Sequence, residues 1–294
     1  MSPLFSALAP AKVNLFLHVG PVDADGYHPL ASLVAFADVG DGLTVAPAPG
    51  LSLDVSGPFA SGLEDGQGDN LVRRALTALG RAAEISDPPL AVRLDKRLPI
   101  AAGLGGGSSD AGAALKLARD ALGLALDDDA LARIAAEIGA DGPMCLHART
   151  VWAEGRGDIL TFEPRLPPLH AVLVNPGVPS PTGAVYRAYD AGPPAAADRP
   201  APPADWSVPA VTDWLALQRN DLQTPAVGLS PAIDQALSAV AATPGVALAR
   251  MSGSGATVFG LCLDQAAARD AARRIGADHP QWWVVPCVLN PANG

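Results

Sequence analysis

The chain has 294 residues, enough for about two domains and a large buried core. Hydrophobic residues make up 49% of it and charged residues 17%, and no apolar run approaches the ~18 residues of a membrane span. Thirty acidic and twenty basic residues give a net charge of −10, which argues against a nucleic-acid-binding protein, since such proteins neutralise phosphates with clustered Lys and Arg. The N-terminus has no basic residue before Lys12 and no cleavage-site pattern, so we expect a cytoplasmic protein that binds neither nucleic acid nor membrane.

Cysteine and lysine are both scarce, with three residues each. The three cysteines, Cys145, Cys262 and Cys287, are too few and too scattered for a disulfide framework or a zinc site, and we expect buried thiols. Only three of the twenty basic residues are lysines, which stand at positions 12, 96 and 116. We expect Lys96 and Lys116 on the surface, whereas Lys12 is a candidate for a specific role.

The first half of the chain begins with strands and continues with helices. In chain order, apolar periodicity predicts strands over 11–19, 31–37 and 43–46 and helices over 69–81, 109–122 and 127–138. The first strand is predicted to be half-buried, with Lys12, Asn14 and His18 on its polar face. Asp41-Gly42 predicts a hairpin turn between the next two strands. Asp69 or Asn70 is expected to cap the first helix.

The second half alternates strands and helices. In chain order it is predicted to contain a strand over 169–175, an irregular Pro/Ala-rich stretch over 191–209, a helix opened by Ser230-Pro231, strands over 246–250 and 256–263, a helix over 265–275 and a strand near 282–289. This pattern indicates an α+β fold. We expect two domains, residues 1–155 and 156–294, and assign no function to the Pro/Ala-rich stretch.

The most informative segment is a glycine-rich loop that leads directly into a helical pattern. Its residues are Pro99, Ile100, Ala101, Ala102, Gly103, Leu104, Gly105, Gly106, Gly107, Ser108 and Ser109. Glycines let the backbone approach a ligand and turn successive N–H groups one way, and Ser108 and Ser109 stand where a helix N-cap belongs. The loop therefore predicts a phosphate site without a basic residue of its own. A flexible linker is the alternative, but a linker would not pass from an apolar lead into a capped helix.

Three further candidates are less specific. Asp110 is expected in the first turn of that helix, where it either interacts favourably with the positive end of the helix dipole or lies near a bound Mg²⁺. Asp141, between Gly139-Ala140 and Gly142-Pro143, is either a general base or, as the residues alone favour, an ordinary turn aspartate. The glycine turn 251–257 lies between two apolar strands and is weak evidence by itself.

Three motifs in this order, PAKVNLFL at 10–17, PIAAGLGGGSS at 99–109 and MSGSGATVF at 251–259, resemble the GHMP family of small-molecule kinases. Further motifs point to the branch that acts on a cytidine diphosphate joined to methylerythritol; these are Asp25–His28, Gly139–Pro143, Asn175–Val178 with Pro181-Thr182, and Asn220–Leu222. The resemblance spans nearly the whole chain. It implies an N-terminal domain with a ribosomal-protein-S5-like half and a ferredoxin-like C-terminal domain.

The resemblance also implies a reaction, in which ATP phosphorylates the 2-hydroxyl of the methylerythritol moiety in the non-mevalonate isoprenoid pathway. It makes Asp141 the catalytic base and Lys12 its basic partner, and it assigns residues 99–109 to the ATP phosphates, bridged by Mg²⁺. Gly142 departs from the family pattern, which commonly has Val, and would loosen the backbone beside Asp141.

The resemblance implies substrate contacts as well. Tyr27 would stack on the cytosine, His28 would hydrogen-bond its edge, Tyr186 would lie on its other side with Thr182 nearby, and Asn14 would contact the substrate. We expect a monomer or weak homodimer. The alternatives are another GHMP kinase, acting on mevalonate, homoserine or a sugar, and a non-catalytic nucleotide-binding module.

Overall fold

The structure is a computed structural model that describes residues 4–66, 70–193 and 195–292. Its strands are β1 (Phe5–Asn14), β2 (His18–Val19), β3 (Leu30–Pro47), β4 (Ser52–Ser56), β5 (Leu90–Asp95), β6 (Val151–Gly155), β7 (Ile159–Phe162), β8 (Leu169–Asn175), β9 (Val246–Met251), β10 (Val258–Cys262) and β11 (Trp283–Leu289). Its helices are α1 (Leu71–Ala82), α2 (Gly106–Leu122), α3 (Asp128–Ile138), α4 (Gly142–His147), α5 (Thr182–Asp190), α6 (Val208–Ala216), α7 (Gln223–Leu229), α8 (Pro231–Ala241) and α9 (Gln265–Asp278). A short 3₁₀ helix spans Ala60–Gly66.

The chain forms two compact units. The first contains the described residues of Met1–Ala11, Val39–Ile100 and Gly105–Ala148, and the second those of Lys12–Asp38, Ala101–Leu104 and Arg149–Gly294. The domain boundary that the sequence predicts between residues 155 and 156 stays a prediction. Among the described residues, no helix has both the length and the apolar character needed to cross a bilayer.

The described residues of unit 1 combine a small sheet with four α-helices. Strand β5 lies between β4, to which it is parallel, and the second half of β3, to which it is antiparallel. Helices α1, α2, α3 and α4 pack against one another, and their aliphatic side chains form one core with those of the sheet. Asn70 caps α1, because its side chain accepts a hydrogen bond from the amide of Val72 at 2.9 Å. The alternative cap, Asp69, lies outside the described residues.

Unit 2 is built on antiparallel strands. Strand β8 lies between β10 and β11, β9 pairs with β10, and β6 joins the first half of β3 to β7. Helices α8 and α9 pack against β8, β9 and β10 over a second aliphatic core. The predicted strand at 169–175 and the predicted elements after Ser230 are present, with ends that differ by a few residues. These elements could be predicted because their alternating apolar residues are bounded by clear turn residues.

The hairpin predicted at Asp41-Gly42 is wrong, because β3 continues without a break through both residues. Asp41 is fully buried, and its Oδ1 accepts the amides of Arg97 and Leu98 at 2.6 and 2.8 Å. A Cβ on the neighbouring Gly40 would lie within 3.0 Å of the Ala9 carbonyl oxygen. Gly40 therefore permits close packing of β3 against β1, and the strand continues where a turn was predicted.

The strand predicted over 11–19 is also different in the structure. Strand β1 begins at Phe5 and ends at Asn14, and residues 11–19 are buried on both faces. Aromatic rings cover the face predicted to be polar, where Phe16 lies 6.0 Å from Trp152 and 5.8 Å from Trp214 between ring centroids. The alternation of residues revealed the strand, but not the aromatic cluster that covers it.

The Pro/Ala-rich stretch has no helix or strand among its described residues before Val208, where α6 begins with Pro209 in its first turn. Pro194 lies outside the described residues. Helices α5, α6 and α7 were not predicted, because each is short and its apolar pattern is weak. The three cysteines are buried thiols, as expected, and none of them forms a disulfide with another described residue. Burial raises the pKa of Cys262 to about 11 and raises that of Cys287 further, so both are inert thiols.

Candidate active site

The first part of the glycine-rich loop, Ala101–Leu104, belongs to unit 2 and is tied to the glycine turn 251–257. The amide of Thr257 donates to the Ala102 carbonyl at 3.1 Å, and Ser252 Oγ donates to the Gly103 carbonyl at 2.9 Å. Gly103 has φ +74°, and a Cβ there would lie within 3.0 Å of the Ser252 carbonyl oxygen. Two glycine motifs that are far apart in the sequence therefore form one backbone assembly.

Two residues that sequence reasoning missed hold this assembly together. Ser252 is fully buried, and its Oγ accepts the amide of Asn14 at 3.1 Å. Asn220 donates from Nδ2 to the carbonyls of Met251 and Gly253, both at 2.8 Å. The Asn220–Leu222 motif was a signal for the second residue, but its partners are visible only in the folded chain.

Asn14 presents a hydrogen-bond acceptor next to the glycine turn. Its Nδ2 donates to Ser32 Oγ at 2.8 Å, and Ser32 in turn donates to the Phe16 carbonyl at 2.6 Å, which fixes the orientation of the amide. Asn14 Oδ1 is buried and accepts no hydrogen bond from the described residues. Such an atom is costly unless a ligand donor meets it. Lys12, two residues earlier, is buried and donates its amide to the Leu104 carbonyl at 2.8 Å.

The second part of the loop belongs to unit 1 and opens α2. Helix α2 begins at Gly106, with Gly105 as N-cap at φ +61° and without a capping side chain. Ser108 and Ser109 are therefore the third and fourth helical residues, and the prediction that they cap the helix is wrong. The left-handed Gly105 caps the helix three residues before Ser108, and the Ser109 amide donates to the Gly105 carbonyl at 2.9 Å. The amides of this first turn have no acceptor within the helix, which favours an anion there.

The expectation that Lys96 is a surface residue is wrong. Its side chain is 4% exposed and contacts Asp41 and Asp110, the latter at 2.9 Å from Nζ to Oδ2. Burial lowers the pKa of Lys96, but the two carboxylates outweigh it and raise that pKa overall. Asp110 lies in the second turn of α2 instead of the first, so it is too far along the helix to be a first-turn partner of the dipole.

Asp141 is half-buried and directly precedes α4 in unit 1. A Cβ on Gly142 would lie within 3.0 Å of the Ala135 carbonyl oxygen, so the absence of a side chain brings α4 against α3. Gly142 therefore supports close packing beside Asp141, contrary to the expectation that it loosens the backbone. Asp141 belongs to unit 1 and Lys12 to unit 2, and their pairing stays a prediction.

A tight turn displays Tyr27. Asp23 Oδ1 accepts the amides of Asp25 and Tyr27, both at 2.9 Å, and Gly26 has φ +81°. The Arg156 guanidinium lies over the Tyr27 ring, 4.0 Å from its centroid, and Nη2 bonds Asp25 Oδ2 at 2.8 Å. Tyr27 is 55% exposed, so its ring is a stacking surface that a cation supports from one side.

His28 lies within a cluster of aromatic residues from α5. Its ring is 4.9 Å from that of Tyr186 and 5.7 Å from that of Tyr189. Nδ1 donates to the Gly20 carbonyl at 2.9 Å, because a carbonyl only accepts, and Nε2 lies 3.3 Å from Asp190 Oδ1. The structure thus brings His28 and Tyr186 together, whereas Tyr27 is held by Arg156.

Thr182 begins α5 and contacts the glycine turn 251–257. Its Oγ1 lies 2.9 Å from Ser254 Oγ, and Ser180 Oγ donates to the Ser254 carbonyl at 2.6 Å. The start of α5 is therefore connected to the same turn as Asn14. In unit 2, one backbone assembly positions these predicted substrate-binding residues.

Both halves of the chain match families of known proteins. The family model for the N-terminal domain of GHMP kinases matches residues 70–149, and that for their C-terminal domain matches residues 212–281. The chain is 56% identical over 288 residues to the 4-diphosphocytidyl-2-C-methyl-D-erythritol kinase of Caulobacter vibrioides (strain NA1000 / CB15N), covering 97% of this chain and 99% of the relative.

Two solved structures are similar over nearly the whole chain. A crystal structure of 4-(cytidine 5'-diphospho)-2C-methyl-D-erythritol kinase has a TM-score of 0.78 and 35% identity, with 98% of this chain and 100% of that chain covered. A crystal structure of homoserine kinase from Cytophaga hutchinsonii has a TM-score of 0.67 and 19% identity, with 98% and 95% covered. The second likeness is one of fold alone.

Proposed function

This chain belongs to the GHMP kinase family, and we propose that it transfers the γ-phosphoryl group of ATP to the 2-hydroxyl of 4-diphosphocytidyl-2-C-methyl-D-erythritol, a step of the non-mevalonate pathway to isoprenoid precursors. The observation that carries the proposal is the 56% identity, over 97% of the chain, to a kinase named for this substrate. The predicted resemblance, the two-domain α+β fold and the kinase activity are confirmed.

The glycine-rich loop, residues 99–109, is proposed to hold the phosphates of ATP. Positive φ angles at Ala101, Gly103 and Gly105 are the conformations that turn backbone amides toward an anion. The first turn of α2 adds N–H groups and the positive end of its dipole. This neutral backbone site explains how a chain of net charge −10 binds a polyphosphate.

Asp141 and Lys12 are proposed as the catalytic residues. The 2-hydroxyl oxygen forms a bond to the γ-phosphorus, the bond from that phosphorus to the β,γ-bridging oxygen breaks, and ADP leaves. Asp141 accepts the hydroxyl proton as the new bond forms. The Lys12 ammonium, the proposed basic partner, is a compact charge that stabilises negative charge on the transferred group.

The substrate is proposed to contact Asn14, Tyr27, His28, Thr182 and Tyr186. The buried Oδ1 of Asn14 supports this assignment, because a hydroxyl group of the substrate would supply the donor that it lacks among the described residues. The exposed ring of Tyr27 offers an area on which a cytosine stacks, a contact worth ~1–3 kcal/mol by analogy with nucleic-acid binding.

Mg²⁺ is proposed as the ion that accompanies ATP, and when bound it would neutralise charge on the phosphates. Among the described residues, no group of three or more His, Cys, Asp or Glu is arranged to hold a metal ion, and Lys96 already binds Asp110. The residues that the structure describes therefore do not form a metal cage, and no residue is proposed as a ligand. The two-domain division at residues 155 and 156, a cytoplasmic location and a monomeric or weakly dimeric state also belong to the proposal.

The proposal is tested by measuring ADP formation with three acceptors at equal concentration: the cytidyl substrate, mevalonate and homoserine. We expect turnover with the cytidyl substrate alone, and phosphorus NMR of the product should show a new phosphomonoester on the 2-hydroxyl. Turnover only with mevalonate or homoserine would assign another acceptor. Binding of ATP without turnover of any acceptor would favour a non-catalytic nucleotide-binding module.

A further inference from the structure

A buried group of three charged side chains in unit 1 has no role in the proposed reaction. This group, the carboxylate–lysine cluster, consists of Asp41 on β3, Lys96 after β5 and Asp110 on α2. Their exposed fractions are 0%, 3% and 2%. Lys96 Nζ donates to Oδ2 of both carboxylates. Charged groups are rarely buried so completely without a structural or functional reason.

The cluster lies directly against the second part of the glycine-rich loop. A Cβ on Gly106 would lie 3.0 Å from Lys96 Nζ and 3.5 Å from Asp41 Oδ2, so the loop backbone contacts both side chains. Asp110 follows Gly106 by four residues, which is about 6 Å along the helix axis.

Asp41 extends the cluster toward the other end of the loop. Its Oδ1 accepts the amides of Arg97 and Leu98, and Leu98 directly precedes Pro99, where the loop begins. The cluster therefore holds the segment that enters the loop as well as the helix that leaves it.

The charges of the cluster do not balance. Two carboxylates share one ammonium, and Asp110 Oδ1 is buried and accepts no hydrogen bond from the described residues. Desolvation raises the pKa of Asp110 to about 7, although the attraction of Lys96 opposes this rise and the charge of Asp41 adds to it. When Asp110 is ionised, the cluster adds a negative charge within about one helical turn of the first amides of α2. That charge opposes the binding of phosphate there.

We propose that Asp110 is a positioning residue that also sets nucleotide affinity. With Asp41 and Lys96 it fixes the glycine-rich loop, and a proton from solvent binds its Oδ1 carboxylate oxygen when the phosphates of a nucleotide bind the loop. Among the described residues, the charged groups with the largest effect on Asp110 are Lys96, from the segment after β5, and Asp41, from β3. Linkage requires the converse effect as well, so nucleotide binds more tightly when Asp110 is protonated. This inference depends on the proposed function, because it takes residues 99–109 as the ATP site.

The test is calorimetric titration of the full chain with ADP at pH 5.5 and pH 8.5, with Mg²⁺ at fixed concentration. Asp110→Asn removes the charge and keeps a side chain that Lys96 can bind. We expect this variant to bind ADP about fivefold to tenfold more tightly than the wild type at pH 8.5, and within about twofold of it at pH 5.5. The phosphates of ADP titrate identically in both experiments, so their contribution cancels in the ratio of the two Kd values.

The matched control is Asp120→Asn, which removes a carboxylate from the other end of α2. Asp120 is exposed and bonds Arg119 at 2.9 Å, so its variant should bind ADP like the wild type at both pH values. If Asp110→Asn does not fold, Asp110→Ser replaces it as a smaller uncharged variant.

The outcomes separate this inference from the proposed function. The inference is overturned if the Kd of the wild type divided by the Kd of Asp110→Asn is the same at both pH values. The proposed function would still stand in that case, provided that the protein phosphorylates the cytidyl substrate. Failure of the folded wild type to bind ADP overturns both. Weaker binding by Asp110→Asn at pH 8.5 would assign the cluster a purely structural role.

Discussion

Replacing Gly103 by Ala tests the contact between the two glycine motifs of unit 2. Gly103 has φ +74°, and an added Cβ would lie within 3.0 Å of the Ser252 carbonyl oxygen and 3.0 Å from the Gly255 amide nitrogen. Both neighbours are backbone atoms, so neither can rotate away as a flexible side chain would. In the variant, the loop at Gly103 must therefore shift relative to the glycine turn 251–257.

The expected cost has two parts. A left-handed backbone costs a non-glycine residue about 1–2 kcal/mol, and overpacking at a closely packed position adds about 1–3 kcal/mol. We therefore expect Gly103→Ala to lower the free energy of unfolding by about 2–5 kcal/mol. Because the Leu104 carbonyl accepts the amide of Lys12, the same displacement should lower kcat/KM for ATP by about 10²-fold, the typical loss for a misplacement of about 1 Å.

Urea unfolding followed by circular dichroism measures the first effect, and Gly177→Ala is the matched control. Gly177 belongs to the same unit and has φ +75°, but the nearest atom to an added Cβ is the Gln281 carbonyl oxygen at 3.9 Å. The control should lose only the backbone contribution of about 1–2 kcal/mol. Equal losses in the two variants would refute the close approach of the two glycine turns.

Four further outcomes are expected. Asp141→Asn should lower kcat at least ~10²-fold with little change in ATP affinity, and near-normal turnover would remove Asp141 from the role of base. Tyr27→Ala should raise KM for the cytidyl substrate more than KM for ATP, whereas equal increases would contradict a cytosine contact. Gly142→Val should destabilise unit 1 by about 1–3 kcal/mol, measured by urea unfolding, because its Cβ would meet the Ala135 carbonyl; an unchanged midpoint would count against that packing. Finally, the pKa of Asp110 in the folded protein is about 7, above its ordinary value of 3.8. Because folding disfavours the ionised form, the free energy of unfolding falls as the pH rises from 3.8 to about 7. Between pH 5.5 and 8.5 the wild type should lose about 2 kcal/mol relative to Asp110→Asn in urea unfolding, and parallel pH profiles would contradict this.

Local signals in the sequence predicted a large part of the fold. Alternating apolar residues located β8 and the strands after Ser230, and Asn70 was one of the two residues predicted to cap α1, because periodicity and capping depend on neighbouring residues. The order of the three motifs was sufficient to predict the GHMP kinase fold. The same local reasoning failed at Asp41-Gly42, where the signal for a turn was overridden by the close approach of β1 to β3.

The sequence by itself determined the glycine-rich loop, the helix that follows it and the family, since these depend on residues that are contiguous or occur in a recognisable order. The tertiary structure alone decided which polar residues are buried together. Lys96 has partners 14 and 55 residues away, and Ser252 bonds a carbonyl 149 residues away. No local pattern encodes such pairs, because burial and charge pairing depend on distances that exist only after the chain has folded.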